Sequence, residues 1–122
     1  MTRDEFIKWR AEDWDVACEA VLKSKGPDYS DASDAFDNFK RRGKEAGITP
    51  EQAWAVLAGK HWDAIMTFVR DGKVRSEPIC GRLLDLRNFL DLLASHLTDH
   101  PGVMVKPNLR PGDIFPMEKV KI

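Results

Sequence analysis

Hydrophobic residues recur at the helical period in four stretches of the chain, separated by glycine and proline. The first stretch predicts a helix from about residue 3 to residue 23. Thr2 is suited to cap its N-terminus, and Gly26 with Pro27 predicts its end. One apolar stripe of this helix contains Ile7, Trp14, Ala17, Cys18 and Val21.

The next two helices are bounded by local signals. A short helix is predicted over about 33–46, with Gly47 as its stop. Thr49 then suits the N-cap of a third helix, and Gln52 stands three residues later, as in a capping box. The sequence DGK at 71–73 predicts the end of this third helix.

The fourth helix begins after Ser76 and runs to about residue 97. It is apolar on two sides, which predicts a central position or burial of one side against another subunit. The four prolines after residue 100 predict an extended tail. The predicted fold is therefore all-α: a four-helix bundle-like domain over 1–97 with a proline-rich extended tail over 98–122, assembled as a homo-oligomer.

Composition restricts the classes of function. The net charge of −1 provides no positive field for duplex nucleic acid, so no duplex partner is predicted. The two cysteines, Cys18 and Cys80, form no CxxC pair and are predicted to be reduced thiols. The sequence shows no metal motif, no apolar signal core and no run of about 18 apolar residues, so a cytoplasmic protein without a membrane partner is predicted.

Two polar residues of the fourth helix require partners. Asp85 and Asn88 are three residues apart, so they share one helix face with apolar neighbours. A buried polar group without a hydrogen bond costs roughly 1–3 kcal/mol. The pair is either an interhelical tie or a set of ligand contacts, and both interpretations require a cation. Lys60 is the leading candidate for that cation, although it is also spaced to pair with Asp63 on a solvated face.

The stretch KGPDYSD at residues 25–31 has two interpretations. Glycine, proline and aspartate are typical of a turn. A lysine beside the only tyrosine is also suited to a nucleotide, because the ring can stack on a base while the amine meets a phosphate. The basic run after Phe39 is either a solvated helix end or the mouth of an anion site.

Several short motifs occur in a recognisable order over about residues 15–97. They are Lys25, the pair Asp28-Tyr29, the element from Phe36 to Phe39, the helix start from Gly47 to Glu51, Lys60, and the segment from Asp85 to Leu90. In this order and spacing the chain resembles the nucleotide modification associated domain family of phages and bacteria. That family is similar to the MazG-like all-α nucleotide pyrophosphohydrolases.

The resemblance implies a small helical protein that binds a nucleotide or a nucleotide-derived, cyclic-nucleotide-type signalling molecule. Such a protein could sequester the molecule as an anti-defence sponge in a bacterial host cell. Lysine and arginine would meet phosphate, the aromatic rings would stack the base, and the polar pair of the fourth helix would read ribose or base edges. The predicted ligand-binding residues are Lys25, Asp28, Tyr29, Phe36, Asn38, Lys60, Arg82, Asp85 and Asn88.

Two other functions remain open from the sequence. In a magnesium-dependent nucleotide pyrophosphohydrolase, Asp85 would hold the metal together with Asp15 and Glu19 of the first helix. The acidic signature of those enzymes is incomplete here, because Asn88 stands where they carry an acid. The sequence therefore favours a binding protein without a catalytic residue or a cofactor. The third possibility is an inhibitor of a host protein that acts through the fourth helix and the tail.

Overall fold

The computed structural model describes residues 1–29, 33–73 and 77–99. These residues form helices joined by short turns, with no strand among them, so the predicted all-α class is confirmed. Most of the predicted tail lies outside the described residues. The helical elements are α1 (Arg3–Trp9), a π-helical segment (Arg10–Trp14), α2 (Asp15–Tyr29), α3 (Asp37–Ala46), α4 (Pro50–Asp71) and α5 (Ile79–Thr98).

The first predicted helix contains a π-helical segment, and the parts before and after it differ in burial. The backbone N–H of Asp15 donates to the carbonyl of Arg10, a spacing of five residues. A π-type turn adds a residue to the helical turn and rotates the face that follows. Residues 3–8 are exposed on every face of α1, Ile7 to 57%, whereas Cys18 of α2 is 3% exposed. The prediction that both residues share one buried stripe is wrong.

The end of α2 also differs from the prediction. The helix passes Gly26 and Pro27 and ends at Tyr29. Proline lacks the N–H that would bond to the carbonyl four residues earlier, so it removes one backbone hydrogen bond. Because Pro27 lies in the last turn, that loss is confined to the end of the helix. Gly26 and Pro27 are therefore not the stop that the turn chemistry predicts.

The third helical element begins later than predicted. A carboxylate oxygen of Asp34 accepts a hydrogen bond from the N–H of Phe36 at 2.9 Å, which holds the residues before Asp37 in a turn. This local bond competes with helix formation, so α3 starts at Asp37 and not near residue 33. Its predicted stop is confirmed, because Gly47 adopts the left-handed conformation with φ 70°.

The boundaries of α4 agree with the sequence. The Thr49 side chain accepts from the N–H of Gln52 at 3.1 Å, and the Gln52 side chain accepts from the N–H of Thr49 at 2.9 Å. This reciprocal pair is the predicted capping box. Gly72 closes the other end with φ 76°. Local hydrogen-bonding chemistry therefore determines both ends of this helix.

The core lies where α3, α4 and α5 meet. Phe36, Phe39 and Ala53 are buried at its centre, and the Trp54 ring packs against them. The indole N–H of Trp54 donates to the backbone carbonyl of Phe89 at 2.7 Å, which ties α4 to α5. Helix α5 also contacts α2, while Leu83 and Leu90 on it stay exposed, so both alternatives predicted for this helix remain open. Among the described residues, no helix has the length and apolar content needed to span a bilayer.

Candidate functional site

Helices α2, α3, α4 and α5 enclose a cleft of about 910 Å³. Its side chains come from all four helices, so the cleft exists only in the folded chain. The volume falls within the range of about 300–1,000 Å³ that is usual for small-molecule sites. The cleft is lined by Val21, Leu22, Lys25, Ala35, Asn38, Phe39, Arg41, Arg42, Leu57, Lys60, His61, Asp85, Asn88, Phe89 and Leu92.

Aromatic rings form one wall of the cleft. The rings of Phe39 and Phe89 are 5.5 Å apart in an edge-to-face arrangement, and the His61 ring lies 5.0 Å from Phe89. These rings lie on three different helices, and their mutual packing fixes the shape of the wall. A planar ligand would find both apolar surface and ring edges here.

Lys60, the predicted cationic partner, is not the residue that lies closest to Asp85. Lys25 Nζ lies 3.6 Å from one carboxylate oxygen of Asp85, and His61 Nδ1 lies 4.0 Å from the other. Lys60 points into the same cleft without reaching Asp85 within ion-pair distance. The tie that the sequence predicts for Asp85 thus exists, but it runs to α2 and to the neighbouring residue of α4.

Three polar side chains of the cleft, those of Asn38, Lys60 and Asn88, have no hydrogen-bond or ion-pair partner among the described residues. Lys60 forms no ion pair there, whereas the other lining cations do: Lys25 with Asp85, Arg41 with Asp37, and Arg42 with Glu45. The Asn88 side chain is 7% exposed and makes no hydrogen bond to any described residue. Its amide donors and acceptor are therefore available to a ligand in the cleft.

A second polar cluster adjoins the Asp85 side of the cleft. Arg82 lies 2.8 Å from Glu77 and 3.3 Å from His61 Nδ1. The donor atoms of His61, Glu77 and Asp85 all lie within 4.8 Å of one another. Burial lowers the pKa of His61, and the nearby Asp85 carboxylate opposes part of that shift. A lowered pKa favours the neutral imidazole near pH 7.

The structure brings together five of the nine predicted ligand residues. Phe36 lies instead in the core, where its ring stacks on His96 with centroids 4.0 Å apart. Arg82 belongs to the adjoining cluster and does not line the cleft. The side chains of Asp28 and Tyr29 lie outside the described residues. The five in the cleft are Lys25, Asn38, Lys60, Asp85 and Asn88.

Sequence reasoning did not identify His61 or Glu77 as site residues. His61 lies among apolar residues in the middle of α4, and Glu77 precedes α5 without a motif around it. Glu77 stands directly before Pro78, which marks the start of a helix. No local signal shows which other helix packs beside this start. The contact between α4 and α5 was the missing information.

The acids proposed for a hydrolase do not converge. Asp15 pairs with Arg87 at 2.5 Å, and Glu19 pairs with Lys23 at 3.1 Å. The described residues therefore offer no cluster of Asp85 with these two acids. Both cysteines are free thiols, as predicted, and burial raises the pKa of Cys18.

Comparison with known proteins gives no relative to guide the assignment: no family model, no curated protein and no solved structure matches this chain.

Proposed function

We propose that this protein binds a nucleotide or a nucleotide-derived signalling molecule in the cleft and sequesters it intact. The observation that carries the proposal is the pairing of an uncompensated cation with an unpartnered buried amide in one cavity. Among the described residues, Lys60 supplies the cation and Asn88 supplies the amide. Each lacks what a nucleotide provides, namely an anion and a hydrogen-bonding edge.

The phosphate end of the ligand is assigned to the lysines. Lys60 is exposed at the cleft and has no carboxylate to neutralise it within the described chain. Lys25 can also contribute, since its ion pair with Asp85 is long at 3.6 Å and its side chain is about half exposed. A phosphate in the cleft can therefore compete with the Asp85 carboxylate for this lysine.

The base end of the ligand is assigned to the interior. Asn88 offers two amide donors and one carbonyl acceptor, a pattern that can pair with a base edge. It follows Asp85 by nearly one turn of α5 and precedes Phe89 of the aromatic wall. A base that packs on this wall would satisfy the amide and bury its own ring at the same time.

A nucleotide panel tests this function directly. The metal-free protein is incubated with ATP, ADP, a cyclic dinucleotide or adenosine, and its melting temperature is measured. We expect at least one phosphorylated ligand to raise it and adenosine to have little effect. After separation from free ligand and denaturation, that nucleotide should be recovered intact in a stoichiometric amount.

Matched lysine variants locate the binding to the cleft. Lys60→Ala should weaken binding about tenfold, because a charge-assisted contact contributes about 1.5–3 kcal/mol. Lys44→Ala serves as the control, since Lys44 is an exposed lysine of α3 that does not line the cleft. Equal affinities of the two variants would contradict the assignment. Recovery of a cleaved nucleotide would favour the pyrophosphohydrolase alternative over sequestration.

A further inference from the structure

The cluster beside the cleft combines three metal-type donors from separate parts of the fold. His61 comes from the middle of α4, Glu77 from the turn before α5, and Asp85 from the second turn of α5. Their donor atoms lie within 4.8 Å of one another, and all three side chains are partly buried. Ligands around a tetrahedral zinc ion lie about 3.4 Å apart, so the donors would move inward by roughly 1 Å.

The protonation pattern makes the imidazole suitable as a ligand. A guanidinium can only donate hydrogen bonds, so His61 Nδ1 must accept from Arg82 at 3.3 Å. Nδ1, which lies 4.0 Å from Asp85, therefore carries its lone pair. Imidazole nitrogen and carboxylate oxygen are both ligands that a zinc-type divalent ion accepts.

We propose that His61, Glu77 and Asp85 bind one divalent transition-metal ion of the zinc type at the edge of the cleft. Three protein donors leave a coordination position open for water or an anion, as in catalytic zinc sites. A site of this kind is separate from the acid set that the sequence suggested for magnesium, since it uses neither Asp15 nor Glu19.

Asn88, the amide on which the nucleotide proposal rests, also shares the cavity with two of the three donors. Asn88 is more than nine-tenths buried, lines the same cavity as His61 and Asp85, and has no hydrogen-bond partner among the described residues. It lies three residues from Asp85 on one face of α5. A water or anion on the ion could supply the hydrogen bond that this amide lacks.

Arg82 contacts two of the three proposed ligands, so a bound ion would compete with it for them. Its guanidinium bridges Glu77 and His61, so in the metal-free chain it neutralises part of the cluster. Binding of the ion requires this guanidinium to move away from both residues. Removal of its charge should therefore strengthen metal binding, whereas removal of a true ligand should weaken it.

The test is a titration of the full, metal-free chain with Zn²⁺ in the absence of any nucleotide, followed by calorimetry. We expect one ion per chain. Glu77→Gln should weaken binding at least about tenfold, since even loss of a group that only orients a ligand costs about 10–100-fold. Arg82→Gln should strengthen it at least threefold. Asp63→Asn, which changes an exposed acid of α4, should leave the affinity unchanged.

Further arms separate this site from other zinc-binding groups. Cys80 is an exposed free thiol, and Cys80→Ser should retain full binding. Circular dichroism establishes that each variant is folded. Because Glu77 lies outside the helices, its substitution tests a ligand without changing a helix interior. Unchanged affinity in Glu77→Gln, or loss of binding in Cys80→Ser, would overturn the proposal. Because no nucleotide is present, either result leaves the nucleotide proposal to its own test.

Discussion

At the scale of single residues, Asn88 is the residue on which the nucleotide proposal depends most. Its side chain is 7% exposed and makes no hydrogen bond to any described residue, so its amide is available to a ligand. We expect Asn88→Leu, which keeps the branched shape of the side chain and removes its polar atoms, to raise the free energy of unfolding by about 1 kcal/mol. Nucleotide affinity should fall at least tenfold. Chemical denaturation and a binding titration measure the two effects, and a loss of stability would show that the amide has a structural role.

Residue chemistry could be predicted from the sequence, but the pairing of residues could not. The costs of burying Asp85 and Asn88 predicted that both need partners, and Asp85 does have a cationic neighbour in Lys25. The identity of that neighbour depends on how α2 and α4 approach α5. Helical periodicity gives the face of each helix and leaves the facing residue on the next helix undefined.

At the scale of elements, substitution of alanine for either of two helical glycines should change stability in opposite directions. A Cβ on Gly43 of α3 would lie 2.8 Å from the Ile48 carbonyl oxygen and 3.0 Å from that of Thr49. A Cβ on Gly59 of α4 would meet nothing within 4 Å. Gly59→Ala should therefore stabilise the chain by about 0.5–1 kcal/mol through helix propensity. Gly43→Ala should destabilise it by about 1–3 kcal/mol, because backbone atoms must shift.

Urea denaturation of the two glycine variants provides the comparison. The substitution is chemically identical at both sites, so each variant serves as the control for the other. Stabilisation by both substitutions would contradict the tight packing of α3 on the turn that leads to α4.

Helix boundaries follow the sequence only where local bonds decide them. The capping box at Thr49 and the left-handed glycines at positions 47 and 72 are local, and all three were predictable. The passage of α2 through Pro27 and the π-helical segment were not. Packing of neighbouring helices can outweigh a local stop signal, and an added residue in a π turn leaves no distinct mark in the hydrophobic period.

At the scale of the whole molecule, the described chain has a small core and many exposed hydrophobic side chains. Twelve large hydrophobic side chains are more than a third exposed. No described side chain is buried to below 2% exposure. We therefore expect self-association, in line with the predicted homo-oligomer.

Leu90 on α5 is 52% exposed and belongs to an apolar stripe of that helix. Leu90→Lys should shift the sedimentation coefficient towards that of a monomer, whereas Ser95→Lys on the same helix should not. A monomeric wild type at every concentration would contradict this prediction.

The central claim is that the cleft between α2, α3, α4 and α5 holds a nucleotide. The most direct measurement is a nuclear magnetic resonance titration that follows the side-chain amide signals of Asn38 and Asn88, the two asparagines that line the cleft. With the phosphorylated ligand that raises the melting temperature most, we expect both signals to move and to saturate at one ligand per cleft. Adenosine should move them much less. Saturable nucleotide binding that leaves both amide signals in place would contradict the account.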